Sequence, residues 1–429
     1  RQKTTERALS ESGFDRLLLH SGLPFTYFED DNDAPFHPTP HFAHWAPVEG
    51  PSHLLEVVPG RKARLVRVMP RDFWYEPPAA APDFVRDALD VEDVATPEEA
   101  WAALKAPAGA KTAFIGNATQ EAEANGVAKD AVNARSLVAR LDWERSYKSD
   151  YEASTMAEAT ARAAAGFKVA EELFKSGASE IEIHHAYLAA VGQMEEKLPY
   201  ATINGLDERA STLHYHGKRG KEASPGQVML IDAGASVRGY GCDITRTYAT
   251  TKAHPVFKQL LGGMESIQRA LAAAATPGKP YLDLHVDAHR KIAGLLAETG
   301  VLRVRADEAF EKGYTRPFFP HGLGHFLGIQ VHDVAGKYAD KSGTPAPPPA
   351  QHPYLRTTRT IEERQLFTIE PGLYFIPMLL EPFRGNGGGG AFDWDLIDRL
   401  TPCGGIRIED DVLVLGGGNR NFTREVLPN

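Results

Sequence analysis

Four carboxylates stand in segments that otherwise look buried. Asp232 ends the apolar run Val228-Met-Leu-Ile, and Asp243 precedes Ile244. Glu370 closes Leu366-Phe-Thr-Ile, and Glu409 follows Gly404-Gly-Ile-Arg-Ile. A lone buried carboxylate is costly unless it is paired or bound to a metal. The fold must therefore give each acid a partner or gather all four around cations, and few architectures do that.

Local geometry favours gathering. Residues 228–248, VMLIDAGASVRGYGCDITRTY, read as two strands flanking Ser236-Val237-Arg238-Gly239, with the glycine supplying positive φ in a hairpin turn. A turn centred between Val237 and Arg238 places Asp232 directly opposite Asp243, with Cβ atoms ~5 Å apart. Like charges so placed destabilise a sheet, and a cation between them removes the conflict. Two solvated aspartates on an exposed hairpin are the alternative. In residues 404–415, strand alternation puts Ile406 and Ile408 on one face and Arg407 and Glu409 on the other. There the alternative is an Arg407–Glu409 salt bridge.

Two divalent cations would neutralise four carboxylates. Oxygen donors with one imidazole suit Mn²⁺, Co²⁺, Fe²⁺ or Zn²⁺. The imidazole is expected in HGLGHFLGIQVHD, residues 321–333, at His325. His321 and His325 are four apart, but Gly322, Gly324 and Gly328 make a helix costly, by roughly 1 kcal/mol per glycine. Close approach of backbone to metal is one use for those glycines. Two ions ~3.5–4 Å apart can polarise a carbonyl, the logic of two-metal hydrolases.

The length, 429 residues, suits two or three domains. The first ~140 residues read as mixed α/β, with strand-like runs at 53–58, 63–69 and 112–116 and a Pro-rich break at 76–83. From Asp150 to Lys175 an Ala/Glu-rich stretch predicts a long helix stopped by Ser176-Gly177. Ser179 and Glu182 form a capping-box pattern for a second helix, running to about Met194. The boundary is placed between Asp142 and Asp150, giving domains 1–145 and 146–429. Gly177-Ala-Ser-Glu-Ile-Glu-Ile-His184 resembles Gly278-Lys-Pro-Tyr-Leu-Asp-Leu-His285, as a duplicated helix pair or shared helix-start grammar would. His184 and His285 read as structural helix residues. Residues 341–353 form a Pro-rich loop. The Gly-rich stretch 385–390 has no phosphate-cradle pattern.

Net charge is −10 with no dense Lys/Arg run, so nucleic acid and anionic membrane are not expected partners. No window approaches the ~18 apolar residues of a membrane span. The polar start has no signal core, and the missing initial methionine is expected of a processed chain. Two cysteines, Cys242 and Cys403, exclude a disulfide framework and suit a reducing cytoplasm.

IDAGASVRGYGCDITRTY, HGLGHFLG, TIEPGLYF and GGIRIEDD, in this order, resemble the pita-bread metallopeptidases, a group with methionine aminopeptidase, aminopeptidase P and prolidase. The resemblance is closest to bacterial prolidases and the related organophosphorus acid anhydrolases. It extends to LLLHSG at 17–22, EDDNDAPFHPTPHFAHWAPV at 29–48, HDVAGKYAD and PYLRTTR. It implies an α+β protein, with an N-terminal creatinase-like α/β domain and a pita-bread catalytic domain, forming a homodimer. It implies two ions, Mn²⁺ first, on Asp232, Asp243, His325, Glu370 and Glu409, with Asp243 and Glu409 shared by both. A hydroxide between the ions would attack the scissile carbonyl of an Xaa-Pro dipeptide while Glu370 relays protons. His332 would stabilise the developing charge, and His214, rather than its neighbour His216, would sit near the substrate. Arg356 would hold the substrate's C-terminal carboxylate, unless it is a plain surface arginine beside Arg359. Tyr200, Arg407 and His321 would line the pocket, and Asp31 would reach across the dimer. One departure is Val237, where close relatives carry an aromatic residue. Aminopeptidase P on longer peptides and organophosphate triester hydrolysis are the neighbouring activities. A metal-free binding protein on the same fold is the alternative of a different class, but the full ligand set is present.

Overall fold

A computed structural model describes residues 1–76, 78–221, 224–385 and 388–428. The chain divides into two compact units. The first comprises Arg1–Arg145 with Asp340–Thr344, and the second Ser146–Ala339 with Pro345–Asn429.

The first unit is built on a mixed five-stranded sheet. Its strands are β1 (Arg16–His20), β2 (Leu54–Val57), β3 (Arg64–Val68), β4 (Asp90–Val94) and β5 (Thr112–Ile115), in the order β4-β3-β2-β1-β5. The three runs expected as strands are β2, β3 and β5. Alternate residues serve two cores: Leu17, Leu19, Leu55 and Leu65 pack in one, and Leu18, Leu54 and Val66 in the other. The sheet is therefore covered on both faces.

The second unit opens with the long helix Asp150–Ser176. Ser149 caps its start, and Gly177, at φ 88°, ends it in the left-handed conformation that glycine tolerates. The next helix, Glu180–Val191, begins with the expected box, in which Glu182 accepts the Ser179 N–H at 2.8 Å. It ends at Gly192, short of Met194. A second helix pair, Pro255–Ala274 and Tyr281–Glu298, follows. Each pair precedes a three-stranded sheet. The first holds β6 (Ile203–Leu206), β7 (Val228–Ala233) and β10 (Ile244–Ala249), in the order β10-β7-β6. The short β8 (Ser236–Val237) and β9 (Tyr240–Gly241) lie between β7 and β10 in sequence. The second sheet holds β11 (Leu366–Ile369), β14 (Asp410–Leu415) and β15 (Gly418–Asn421), and β12 (Gly372–Tyr374) pairs with β13 (Gly405–Arg407). Of the Gly-rich stretch 385–390, Asn386 and Gly387 lie outside the described residues.

One register differs from expectation. Val237 pairs with Tyr240, so the turn residues are Arg238 and Gly239, with φ of 49° and 84°. A two-residue hairpin turn that matches strand twist needs positive φ at both central positions, and Arg238 accepts it. The turn therefore falls one residue later than read. Asp232 faces Thr245 rather than Asp243, which lies just before the β7–β10 ladder. Val237 itself is buried in the core formed with the first helix pair.

Gly166 sets how closely that pair packs. A Cβ there would lie 2.4 Å from Tyr187 Cδ2. Alanine is the better helix former by about 1 kcal/mol, but overpacking a rigid ring contact costs typically 1–3 kcal/mol. We expect Gly166→Ala to lower the unfolding free energy; a urea titration showing stabilisation would contradict this packing.

Candidate metal centre

The site forms where β7, β10, β11 and β13 meet. Thr245 pairs with Asp232 across β7–β10 and also bridges to Glu409, whose N–H donates to Thr245 O at 3.0 Å. His325 runs beside β11: the Thr368 N–H donates to His325 O at 2.9 Å, and the Glu370 N–H to Leu323 O at 2.8 Å. Backbone pairing alone thus brings Asp232, Glu409, His325 and Glu370 to one place.

The side chains converge further. His325 Nε2 lies 3.3 Å from Asp243 Oδ2 and 3.7 Å from Glu370 Oε1. Asp243, His325 and Glu409 each offer a ligand atom within 4.8 Å of the others, and all three are buried. Tyr200 Oη lies 2.7 Å from Asp232 Oδ1 and 2.6 Å from Asp243 Oδ1. One hydroxyl proton cannot serve both acceptors. Arg407 is buried, and its Nη2 donates to Asp232 Oδ2 at 2.6 Å, Nη1 to Tyr374 Oη at 3.0 Å and Nε to Thr245 Oγ1 at 3.1 Å. Thr245 Oγ1 in turn donates to Glu409 Oε2 at 2.7 Å. The Arg407–Glu409 salt bridge, the alternative reading of that strand, does not form. Arg407 reaches Asp232 instead, and Thr245 links it to Glu409.

This cluster is short of positive charge. Burial pushes Asp232 up to about 6 and Glu370 up to about 7, and it raises Glu409 well above the usual carboxylate range. Burial acts the same way on Asp243, but the hydrogen bond and charge of His325 outweigh it and the net shift is downward. Burial lowers His325, yet Asp243 and Glu370 more than reverse this and hold it near 9. Four carboxylates face two cations, Arg407 and His325. Divalent ions supply what is lacking, and the donor set of oxygens with one imidazole fits them. His325 Nδ1 lies 3.0 Å from Phe326 O, a contact that directs Nε2 at the carboxylates.

His321 and His332 lie beside this cluster, with His214 and Arg356 near them. His321 lies 2.9 Å from Tyr374 Oη through Nε2 and 3.7 Å from Glu370 Oε2 through Nδ1. The His332 ring stands perpendicular to His325, with centroids 4.4 Å apart. Desolvation, then the charges of His325 and Arg356, hold His332 near 3. His214 is lowered by desolvation and then by Arg407, His216 and Arg356. Arg356 is exposed. Asp31 lies on an exposed loop of the first unit, its N–H donating to Asp30 Oδ1 at 2.7 Å.

Gly324 and Gly328 also permit close packing of their own segment. A Cβ on Gly324 would lie 2.1 Å from Thr368 O, and one on Gly328 would lie 2.1 Å from Asp333 Oδ2. They seat the segment against β11 and against the buried Lys148–Asp333 ion pair, at 3.0 Å. The Asp333 N–H donates to Phe326 O at 2.9 Å, closing the loop that presents His332 beside His325. Sequence reasoning missed Thr245, Tyr374, Lys148 and Asp333. Thr245 and Tyr374 lie within quoted motifs, so strand alternation could have singled them out. Lys148 carried no local signal.

Residues 154–415 match the family model described as metallopeptidase family M24. The chain belongs to that family. Residues 1–143 match the Xaa-Pro dipeptidase N-terminal domain. The chain is 42% identical to the Xaa-Pro dipeptidase of Pseudoalteromonas atlantica, covering 99% of this chain and 96% of that one. It is 41% identical to that of Stenotrophomonas maltophilia K279a, covering 98% and 94%. Zinc-substituted Escherichia coli aminopeptidase P superposes with a TM-score of 0.75 at 22% identity, covering 99% of this chain and 94% of that one, which shows the shared fold. Membership of M24 implies divalent metal ions, and the carboxylate cluster offers candidate ligands for them.

A cation bound here must displace protons from His325, Glu409 and Glu370. His325 near 9, Glu370 near 7 and the raised Glu409 keep these protons bound around neutrality. We expect Mn²⁺ affinity to weaken as pH falls from 8 to 6, about tenfold per pH unit for each proton displaced. Isothermal titration calorimetry in buffers of different ionisation enthalpy would measure both affinity and proton release. A pH-independent affinity would contradict the electrostatics described.

Proposed function

We propose that this M24 protein is a dinuclear, metal-dependent dipeptidase that hydrolyses Xaa-Pro dipeptides. The observation that carries the reading is a cation-deficient carboxylate cluster beside His332, His214 and the exposed cation Arg356. The full-length relatives named Xaa-Pro dipeptidase support it. Asp232, Asp243, His325, Glu370 and Glu409 would hold two ions, with Asp243 and Glu409 shared. Mn²⁺ is the first choice among Mn²⁺, Co²⁺, Fe²⁺ and Zn²⁺, because four of five donors are carboxylates. When bound, such ions supply Lewis acidity and a water acidic enough to react near neutral pH.

The residues of the chain do the rest. Glu370, held up to about 7, can accept and return a proton at working pH. Neutral His332 has one ring N–H to donate to the scissile carbonyl oxygen as charge develops there. His214 contacts the substrate at the same rim. The Arg356 guanidinium suits bidentate capture of a C-terminal carboxylate. Tyr200 and Arg407 fix Asp232, and His321 lines the pocket. Proline lacks the backbone N–H that many peptidases bind, so recognition through the following carboxylate is an effective substitute. We assign a homodimer, because Phe25, Tyr27 and Phe28, in the segment leading to Asp31, are exposed, Phe28 by 90%. Two free buried cysteines suit a reducing cytoplasm. No helix among the described residues is long and apolar enough to cross a membrane.

Protein stripped by chelation should regain activity with Mn²⁺ and cleave Ala-Pro but neither Ala-Ala nor, efficiently, Ala-Pro-Ala. Preferred cleavage of the tripeptide would reassign the chain to aminopeptidase P chemistry. A charged hydrogen bond is worth about 1.5–3 kcal/mol, so Arg356→Ala should raise KM for Ala-Pro roughly 10- to 150-fold. The change in kcat should be small. An unchanged KM would remove Arg356 from substrate binding.

A further inference from the structure

A second cluster of metal-ligating side chains lies outside the carboxylate centre. His285 and His289 are one helical turn apart on Tyr281–Glu298, and both are buried. His352, on the Pro-rich loop, completes the group, and one nitrogen of each imidazole lies within 4.8 Å of the others. The rings of His285 and His352 are perpendicular, with centroids 4.4 Å apart, and His285 Nε2 lies 3.0 Å from His352 Nδ1. We propose that His285, His289 and His352 form a separate transition-metal site for Zn²⁺ or Cu²⁺, distinct from the carboxylate centre.

Four observations support it. The donors are all nitrogen, which suits Zn²⁺ and Cu²⁺ far better than Mn²⁺. Thr315, itself buried, holds His289 Nδ1 at 2.9 Å, the outer contact that orients a ligating imidazole and leaves Nε2 for a metal. His285 Nδ1 is buried with no hydrogen-bond partner, an unsatisfied group that a structural role alone leaves unexplained. A cavity of about 280 Å³, lined by these three histidines with Arg316, Phe319 and His321, leaves room for water as a further ligand. Burial and neighbouring histidines hold His285 near 2 and His289 near 3, so both are neutral and carry a free lone pair at pH 7.

Arg316 opposes a cation here, since its charge bears on both His289 and His352. It is exposed and therefore screened by solvent and salt. Its effect also separates this proposal from an anion site, which would depend on that same arginine. Occupancy would tie the Pro-rich loop, which continues to Arg356, to the helix Tyr281–Glu298.

The test uses the full-length Mn²⁺-loaded protein titrated with Zn²⁺, with bound zinc read by elemental analysis after gel filtration. His289→Gln and His352→Gln should each retain one zinc equivalent fewer per chain than wild type. That difference holds whatever number of ions the carboxylate centre takes up, so it stands or falls apart from the dipeptidase reading. Cu²⁺ should give an electron paramagnetic resonance signal with nitrogen hyperfine structure that disappears in His352→Gln, a change on a half-buried loop residue that need not perturb folding. Arg316→Ala should tighten zinc binding several-fold. Equal zinc retention by wild type and both variants, or weaker binding in Arg316→Ala, would overturn the proposal.

Discussion

The Arg407–Asp232 ion pair ties the sheets of the second unit together at their most highly charged point. Arg407 arrives on β13 and Asp232 on β7, and the guanidinium also binds Thr245 of β10 and Tyr374 of β12. A buried charge left without its partner costs several kcal/mol, so these four strands cannot drift apart without exposing or orphaning an ion. The pair still leaves the cluster negative. Burial first, and then the charges of the neighbouring carboxylates, shift Glu370 and Glu409 towards their protonated forms. Fold and metal requirement are therefore one electrostatic fact: the strands assemble a site whose charge is balanced only from outside.

The same economy of means positions the histidines. Phe326 O receives the Asp333 N–H and lies within hydrogen-bond distance of His325 Nδ1, so one carbonyl both shapes the loop and orients the imidazole. Beneath it, Lys148 and Asp333 form an ion pair with both side chains buried. Gly324 and Gly328 let the loop descend onto this support, because a methyl group at either position would meet atoms 2.1 Å away. Precision at His325 and His332 thus comes from rigid backing behind the loop.

The two three-stranded sheets, each preceded by a helix pair, give the second unit two similar halves, with candidate ligands drawn from both. Asp232 comes from one sheet, His325 and Glu370 from beside β11 in the other, and Glu409 from the step between β13 and β14. His285 and His289 lie on the second helix of the second pair, and at the matching sequence position of the first pair His184 lies 2.8 Å from Thr202 Oγ1.

Much of this was legible in the linear sequence because it depends on local rules. The helix start at Ser179, the helix stop at Gly177, three of the five strands of the first unit and the apolar settings of the acids follow from capping, positive φ and strand-like apolar runs. The ordered motifs around Asp232, His325, Glu370 and Glu409 carried the family resemblance as well. Tertiary structure decided what local rules cannot reach. The hairpin register turned on whether Arg238 would accept a positive φ, and that one-residue choice moved Asp243 away from Asp232. The partner of Arg407 was decided by which strand lay alongside it, so a residue 175 positions away displaced the neighbour two positions away. Lys148 found Asp333 across 185 residues for the same reason. Sequence spacing records which residues can share a face of one element; only packing determines which elements face each other, and buried charge is settled there.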